Sequence, residues 1–275
     1  MGRKLFCQIN PVCYEISCKK EIVLRYLKDF FLHEKIAKTK SDKELPNIIK
    51  SHSSILLRKL NGVDMELQKS KVTNIQIACN EINGLIIKPG ETFSYWRILG
   101  KPTKKKGYKE GLVINPDGFG AGIGGGLCQM ANLIHYLVLN SPLETTEIHH
   151  HSDTLFPDDR RRVPFGTGTS VSYSNTDYRF KNTTDQNVQL LTWVEDGEVC
   201  GELRSEKEIP YRYKLVEENH HFKKEGKKYF RISQVYRITI DKKTKKEIKK
   251  ELILDNHSEV LYDYDLIPKD QIKND

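Results

Sequence analysis

Cys128 follows Gly124-Gly125-Gly126 and stands in the first turn of a helical pattern. Leu127, Met130, Ile134, Leu137 and Val138 recur there every three or four residues. A helix N-terminus carries about half a positive charge and several unpaired N–H groups. Both favour a thiolate, and the thiolate is the nucleophilic form of cysteine. Glycines ahead of the thiol let a substrate backbone approach, and the same N–H groups suit an oxyanion. Gln129 adds a side-chain donor beside the thiol. Further on, His149-His150-His151-Ser152-Asp153 falls where the chain turns to strand. On a strand His149 and His151 share one face and His150 takes the other. Either His149 or His151 is then the base for the Cys128 proton, and Asp177 or Asp153 orients it.

The same residues permit other chemistry. Cys128, His149 and His151, with Asp153 or water, make a Cys/His₂ metal set. Neither HExxH, CxxC nor an EF-hand loop occurs, so the thiol ranks above the metal and no resident cofactor is expected. The glycine run lacks the spacing of a dinucleotide fingerprint, and no GK[ST] follows it. It remains an anion cradle, or simply a tight loop before a helix with an inert buried thiol. Arg160 and Arg162, with the five lysines between Lys101 and Lys109, are candidates to meet phosphates or carboxylates, or else form solvated turns.

These residues need elements to hold them. The chain has 275 residues, with 45 Lys and Arg against 37 Asp and Glu, a net charge of +8. That balance favours anionic partners. No nucleic-acid reader motif accompanies it, so nucleic acid is not expected. No window approaches the roughly 18 apolar residues of a spanning helix. The opening residues lack the unbroken apolar stretch of a secretory signal, which predicts a cytoplasmic protein, and the six scattered cysteines then read as free thiols. Glu21 to Lys40 reads as a basic amphipathic helix, packed on the core or lying on a membrane surface or partner. Pro46 to Leu60 reads as a second helix ended by Asn61-Gly62, and a third runs from about Lys71 to Asn83-Gly84. Leu85-Ile86-Ile87 is a short strand, and Pro89-Gly90 is a turn. Beyond Thr145 most runs read as strand, with a hairpin at Asp196-Gly197. From Pro210 an antiparallel meander follows, with a lysine-rich tip at Asp241 to Lys250. Helices, then mixed elements, then strands predict an α+β fold. The expected parts are a helical segment over 1–70, a core over 71–205 and a β-rich extension over 206–275.

Five separated motifs then meet in one order: Lys88-Pro-Gly-Glu-Thr-Phe-Ser-Tyr95, Lys106-Gly-Tyr108, Gly124-Gly-Gly-Leu-Cys-Gln129, Glu147-x-His149-x-His151-Ser152, and Val171-Ser-Tyr173 with Asp177-Tyr-Arg-Phe-Lys-Asn182. In that order they resemble the VanW family, and in particular its short members found with glycopeptide-resistance gene clusters. The resemblance implies a link to vancomycin resistance and to cell-wall precursors, and it brings no settled reaction with it. Carried over by position, the shared polar residues are Glu91, Ser94, Cys128, Gln129, His149, His151, Ser152 and Asp177. Met130-Ala131-Asn132 stands where the family has a hydroxyl-rich stretch. The leading expectation is a Cys–His site acting on a peptide, amide or ester bond of an anionic precursor. Gly124 to Gly126, Gln129, Glu91, Ser94, Arg160 and Arg162 would line it. A non-catalytic accessory binder of such a precursor is the alternative, and the Cys/His₂ metal hydrolase comes third.

Overall fold

The computed structural model describes residues 5–57, 65–115, 118–150, 153–154, 157, 163–173 and 175–273. His151, Ser152, Arg160 and Arg162 lie outside the described residues. The fold is α+β, with four α-helices among the described residues and sheets that are mainly antiparallel.

Helix α1 spans Pro11–Phe31, earlier and longer than the Glu21–Lys40 pattern suggests. Asn10 caps it by accepting from the Cys13 N–H, and Pro11 takes the first turn, where no N–H is needed. Helix α2 spans Met65–Ile82 and buries Ile75, Ala78, Cys79 and Ile82. The short α3 spans Tyr95–Leu99, and α4 spans Leu127–Leu139.

A five-stranded sheet carries the main core. Its order is β1 (Thr39–Lys40), β3 (Leu85–Ile87), β10 (Val188–Glu195), β11 (Glu198–Ser205) and β2 (Asn47–Ile55), all antiparallel. Helices α2 and α4 pack on it, and Gly201 of β11 admits the side chains of Leu133 and Leu137. Asp196 and Gly197 both take positive φ in the tight β10–β11 turn, as a two-residue hairpin requires.

Strand β2 corrects the helix expected over Pro46–Leu60. Ser51, Ser53 and Ser54 are weak helix formers, and pairing along the whole of β11 decides the segment. Pro46 therefore precedes a strand rather than opening a helix.

A smaller sheet places β4 (Thr92–Ser94), β9 (Arg179–Lys181) and β7 (Glu144–Glu147) side by side. The hairpin of β5 (Glu110–Asn115) and β6 (Gly118–Ile123) leads into the glycine loop before α4. The expected tail meander is present as β12 (Tyr211–Glu225), β13 (Lys228–Asp241) and β14 (Glu247–Val260). Two short strands extend it in parallel, β15 (Ile272–Lys273) on β12 and β8 (Asp153–Thr154) on β14.

Candidate functional site

Asp177 is fully buried beside β9 and is the most heavily bonded carboxylate of the core. Its Oδ1 accepts from the Trp96 N–H at 3.1 Å and the Tyr178 N–H at 2.9 Å. Its Oδ2 accepts from the Ser94 hydroxyl at 2.5 Å and from Arg179 Nε at 2.8 Å. Ser94 also caps α3 by accepting from the Arg97 N–H. Thus Ser94 and Asp177, both named by the motifs, do meet. Asp177 binds Ser94, two backbone N–H groups and arginine rather than a histidine.

Arg179 extends this group toward α1. Its Nη1 and Nη2 donate to the two carboxylate oxygens of Asp29 at 2.5 and 3.2 Å, a bidentate pair across 150 residues of chain. Glu147 sits alongside at the end of β7. Its Oε2 accepts from Arg25 Nη1 at 2.6 Å, and its Oε1 accepts from the Asp177 N–H. His149 Nε2 lies 3.1 Å from the same Oε1. Three carboxylates, Asp29, Glu147 and Asp177, therefore face two guanidiniums, Arg25 and Arg179, with His149 at the rim. Burial by itself raises the Glu147 carboxyl. Hydrogen bonds from Arg25, His149 and the Asp177 N–H outweigh it, and the net shift is downward.

A cleft of about 530 Å³ opens onto this cluster. Arg25, Lys28, Glu147, His149, Asn175 and Arg179 are among its lining residues. The sequence spacing already contained part of this site. Glu147 and His149 are two apart in sequence, as are Asp177 and Arg179, with Glu147 ending β7 and Arg179 opening β9, while His149 and Asp177 lie just outside these strands rather than on the strand expected for the histidines. Arg25 and Asp29 are four apart on a helix and share a face. Nothing in the linear order signalled that these groups would meet.

Cys128 occupies the first turn of α4, as the spacing requires. Its Sγ donates to the Val171 carbonyl at 3.6 Å. Burial pushes the thiol up, against a smaller lowering by backbone hydrogen bonds. The shift runs against the thiolate that a helix N-terminus is expected to favour. The structure joins His149 to Glu147 and Cys128 to Val171, and no hydrogen bond among the described residues joins the two. No group of three or more His, Cys, Asp or Glu among the described residues is arranged to hold a metal.

The glycine loop is filled by protein. A Cβ on Gly125 would lie 2.2 Å from the Gly111 carbonyl carbon, and one on Gly126 would lie 2.1 Å from Lys71 Cγ. Asn74 donates to the Gly125 carbonyl and fastens the loop to α2. The glycines, Gly124 included, allow chain segments to touch, which is a different use from admitting a substrate backbone. Gln129 donates to Ser54 Oγ and the Ile55 carbonyl, tying α4 to β2. Glu91 accepts from the Lys88 N–H and closes the Lys88–Glu91 turn. His150 Nδ1 lies 3.2 Å from the carbonyls of Gly166 and Gly168.

Known proteins are similar to this chain in sequence. Residues 70–204 match the family model described as VanW like protein. The chain is 29% identical over 226 residues to the vancomycin B-type resistance protein VanW of Enterococcus faecalis (strain ATCC 700802 / V583), covering 82% of each chain. It is 30% identical over 122 residues to the uncharacterized protein YoaR of Bacillus subtilis (strain 168), covering 44% of this chain and 39% of that one. No solved structure matches the chain. Glu147, Asp177 and Arg179 fall within the matched segment, whereas Arg25 and Asp29 come from outside it. Residues 70–204 are thus a VanW-like region, and the likeness to the resistance protein extends beyond it.

Proposed function

We propose that this protein is an accessory glycopeptide-resistance protein that binds a peptidoglycan precursor in the cleft between α1 and the sheet of β4, β9 and β7. The similarity to a vancomycin resistance protein over most of both chains supports the biological setting. The observation that carries the binding role is the cleft itself, lined by Arg25, Lys28 and Arg179 together with Glu147 and His149. Groups of both signs suit a peptide bearing both carboxylates and amines. Arg25 and Lys28 offer donors to a carboxylate, while Glu147, lowered by its partners, adds negative charge that attracts an ammonium. Binding is favoured over thiol catalysis because the Cys128 thiol is raised and bonded to a carbonyl.

Calorimetric titration of the full chain with a soluble muramyl stem-peptide precursor tests this reading. Binding should occur, and Lys28→Gln should weaken it about ten-fold, the order of one charge-assisted hydrogen bond. Amidation of the peptide carboxylates should weaken it similarly. An absence of heat, or a Lys28→Gln protein that binds as tightly, would overturn the assignment. Cleavage of the peptide that Cys128→Ser abolishes would restore the hydrolase instead.

A further inference from the structure

Helix α1 presents its polar side to the body of the protein and its apolar side outward. Arg25 and Asp29 face inward, onto Glu147 and Arg179. Tyr26 beside them stacks under the Arg97 guanidinium at 3.9 Å. At 100° per residue, Cys18 and Ile22 share the inward face with Arg25 and Asp29. Val12, Ile16, Val23, Leu27 and Phe30 lie on the opposite one. All five are exposed, Val23 by 55% and Phe30 by 75%. Phe31, at 71% exposure, broadens this face, and Leu5, Phe6 and Ile9 in the turn before the helix are exposed as well. Asp29 is the buried residue of the helix. An amphipathic helix that packs on a core does the reverse.

The charges are sorted around the same cylinder. Lys19 falls beside Val12 at the border of the apolar arc, and Lys20 falls between Leu27 and Phe31, within it. Glu15, Glu21 and Asp29 lie on the other half. Lys20 Nζ reaches back to Glu21 at 3.0 Å, and both side chains stay exposed. A second protein helix laid on this arc would have to desolvate Lys19 and Lys20. A bilayer does not: the lysine stems lie along the acyl region and the ammoniums reach the headgroups. The helix is not long and apolar enough to cross.

We infer that α1 is an interfacial helix that seats the protein on an anionic lipid surface through Val12, Ile16, Val23, Leu27 and Phe30, with Lys19 and Lys20 meeting the headgroups. This inference is independent of what the cleft binds. It places the Arg25–Asp29 face, and with it the cleft, on the side of the helix away from the lipid.

Vesicle co-sedimentation of the full chain tests it. Wild-type protein should pellet with vesicles of phosphatidylcholine mixed with phosphatidylglycerol, and much less with phosphatidylcholine alone. Val23→Asp with Phe30→Asp should abolish pelleting while circular dichroism stays unchanged. Lys19→Gln with Lys20→Gln keeps the apolar arc and should weaken binding to the anionic vesicles about 25-fold, about five-fold per charge. This second variant decides the matter if the first loses its helix. No pelleting, equal pelleting on neutral vesicles, or lysine variants that bind as wild type would each overturn the inference. A concentration-dependent dimer that Val23→Asp with Phe30→Asp dissolves would give the face to a second copy of the chain, and would overturn it too.

Discussion

Cys128 illustrates how two opposed effects on one thiol are settled by magnitude. Backbone hydrogen bonds lower the thiol and enclosure raises it, and here enclosure prevails. Cys200 is likewise partly exposed and likewise raised, by burial and by neighbouring carboxylates, so native alkylation with iodoacetamide should label Cys128 no faster than Cys200. Cys79, fully buried and pushed up to about 12, should react last. Peptide mass spectrometry of a time course gives the order, and Cys128 reacting first would restore it as a nucleophile. His135 is a second residue whose state is fixed by burial. Its Nδ1 lies 3.0 Å from the Tyr178 hydroxyl, and burial, with a smaller effect of His150, takes its pKa down to about 3. A depressed histidine is neutral in the folded chain while the unfolded chain takes a proton below about 6.5. Its contribution is therefore complete above pH 6.5 and is lost progressively as pH falls toward 3. Urea denaturation of wild type should show this loss, on the order of a few kcal/mol. His135→Gln should remove most of that slope. An unchanged slope would mean that other groups carry it.

At the scale of elements, the contacts that join them are specific pairs rather than broad surfaces. Helix α1 is held by Arg25 on Glu147 and Asp29 on Arg179. Removing Asp29 leaves a buried guanidinium short of one partner, a change that costs about 3–5 kcal/mol when a buried pair is broken. Asp29→Ala should accordingly release α1, seen as new proteolytic cuts within residues 11–31 at unchanged protection of the core. The glycine loop is fastened by close approach. Gly125→Ala puts a methyl group 2.2 Å from the Gly111 backbone and should lower the melting temperature severely or prevent folding. Gly197→Ala meets nothing within 4 Å, and only its positive φ opposes the change, at about 1–2 kcal/mol. A Gly125→Ala protein as stable as Gly197→Ala would mean that the loop has room for a ligand after all.

Over the whole molecule, the two large sheets are not equally supported. The main hydrophobic cluster runs from Ala37 to Leu203 and includes the interior of α2, α4 and the five-stranded sheet. The tail sheet has its own small cluster of Phe222, Val260 and Ile267. Its strands β12 and β14 carry mostly exposed and partly buried side chains, with the enclosed ones concentrated in β13 between them. Opening should follow this division, because local stability tracks buried apolar contact. Hydrogen exchange should be slower in β10 and β11 than in β12 and β14. Equal protection would show that the tail unfolds together with the core as one cooperative unit.

Local periodicity and turn chemistry alone determined α4, the C-terminal end of α2, the Asp196-Gly197 hairpin and the tail meander, because in each case the pattern and the partner are near in sequence. The five ordered motifs likewise marked the family. Segment 47–55 went the other way, since a strand or a short helix there depends on whether an edge of β11 is free to pair with it. The site was divided in the same manner. Glu147 with His149 and Asp177 with Arg179 each lie two apart, so their closeness was legible, although His149 and Asp177 fall just outside β7 and β9. The Asp29–Arg179 pair spans 150 residues, and the 122 between Arg25 and Glu147 are no more visible to a local reading. Cys128 and the glycines announced themselves by type, but whether a helix N-terminus opens on solvent or on Gly111, Lys71 and Val171 is decided by what the rest of the chain packs against it.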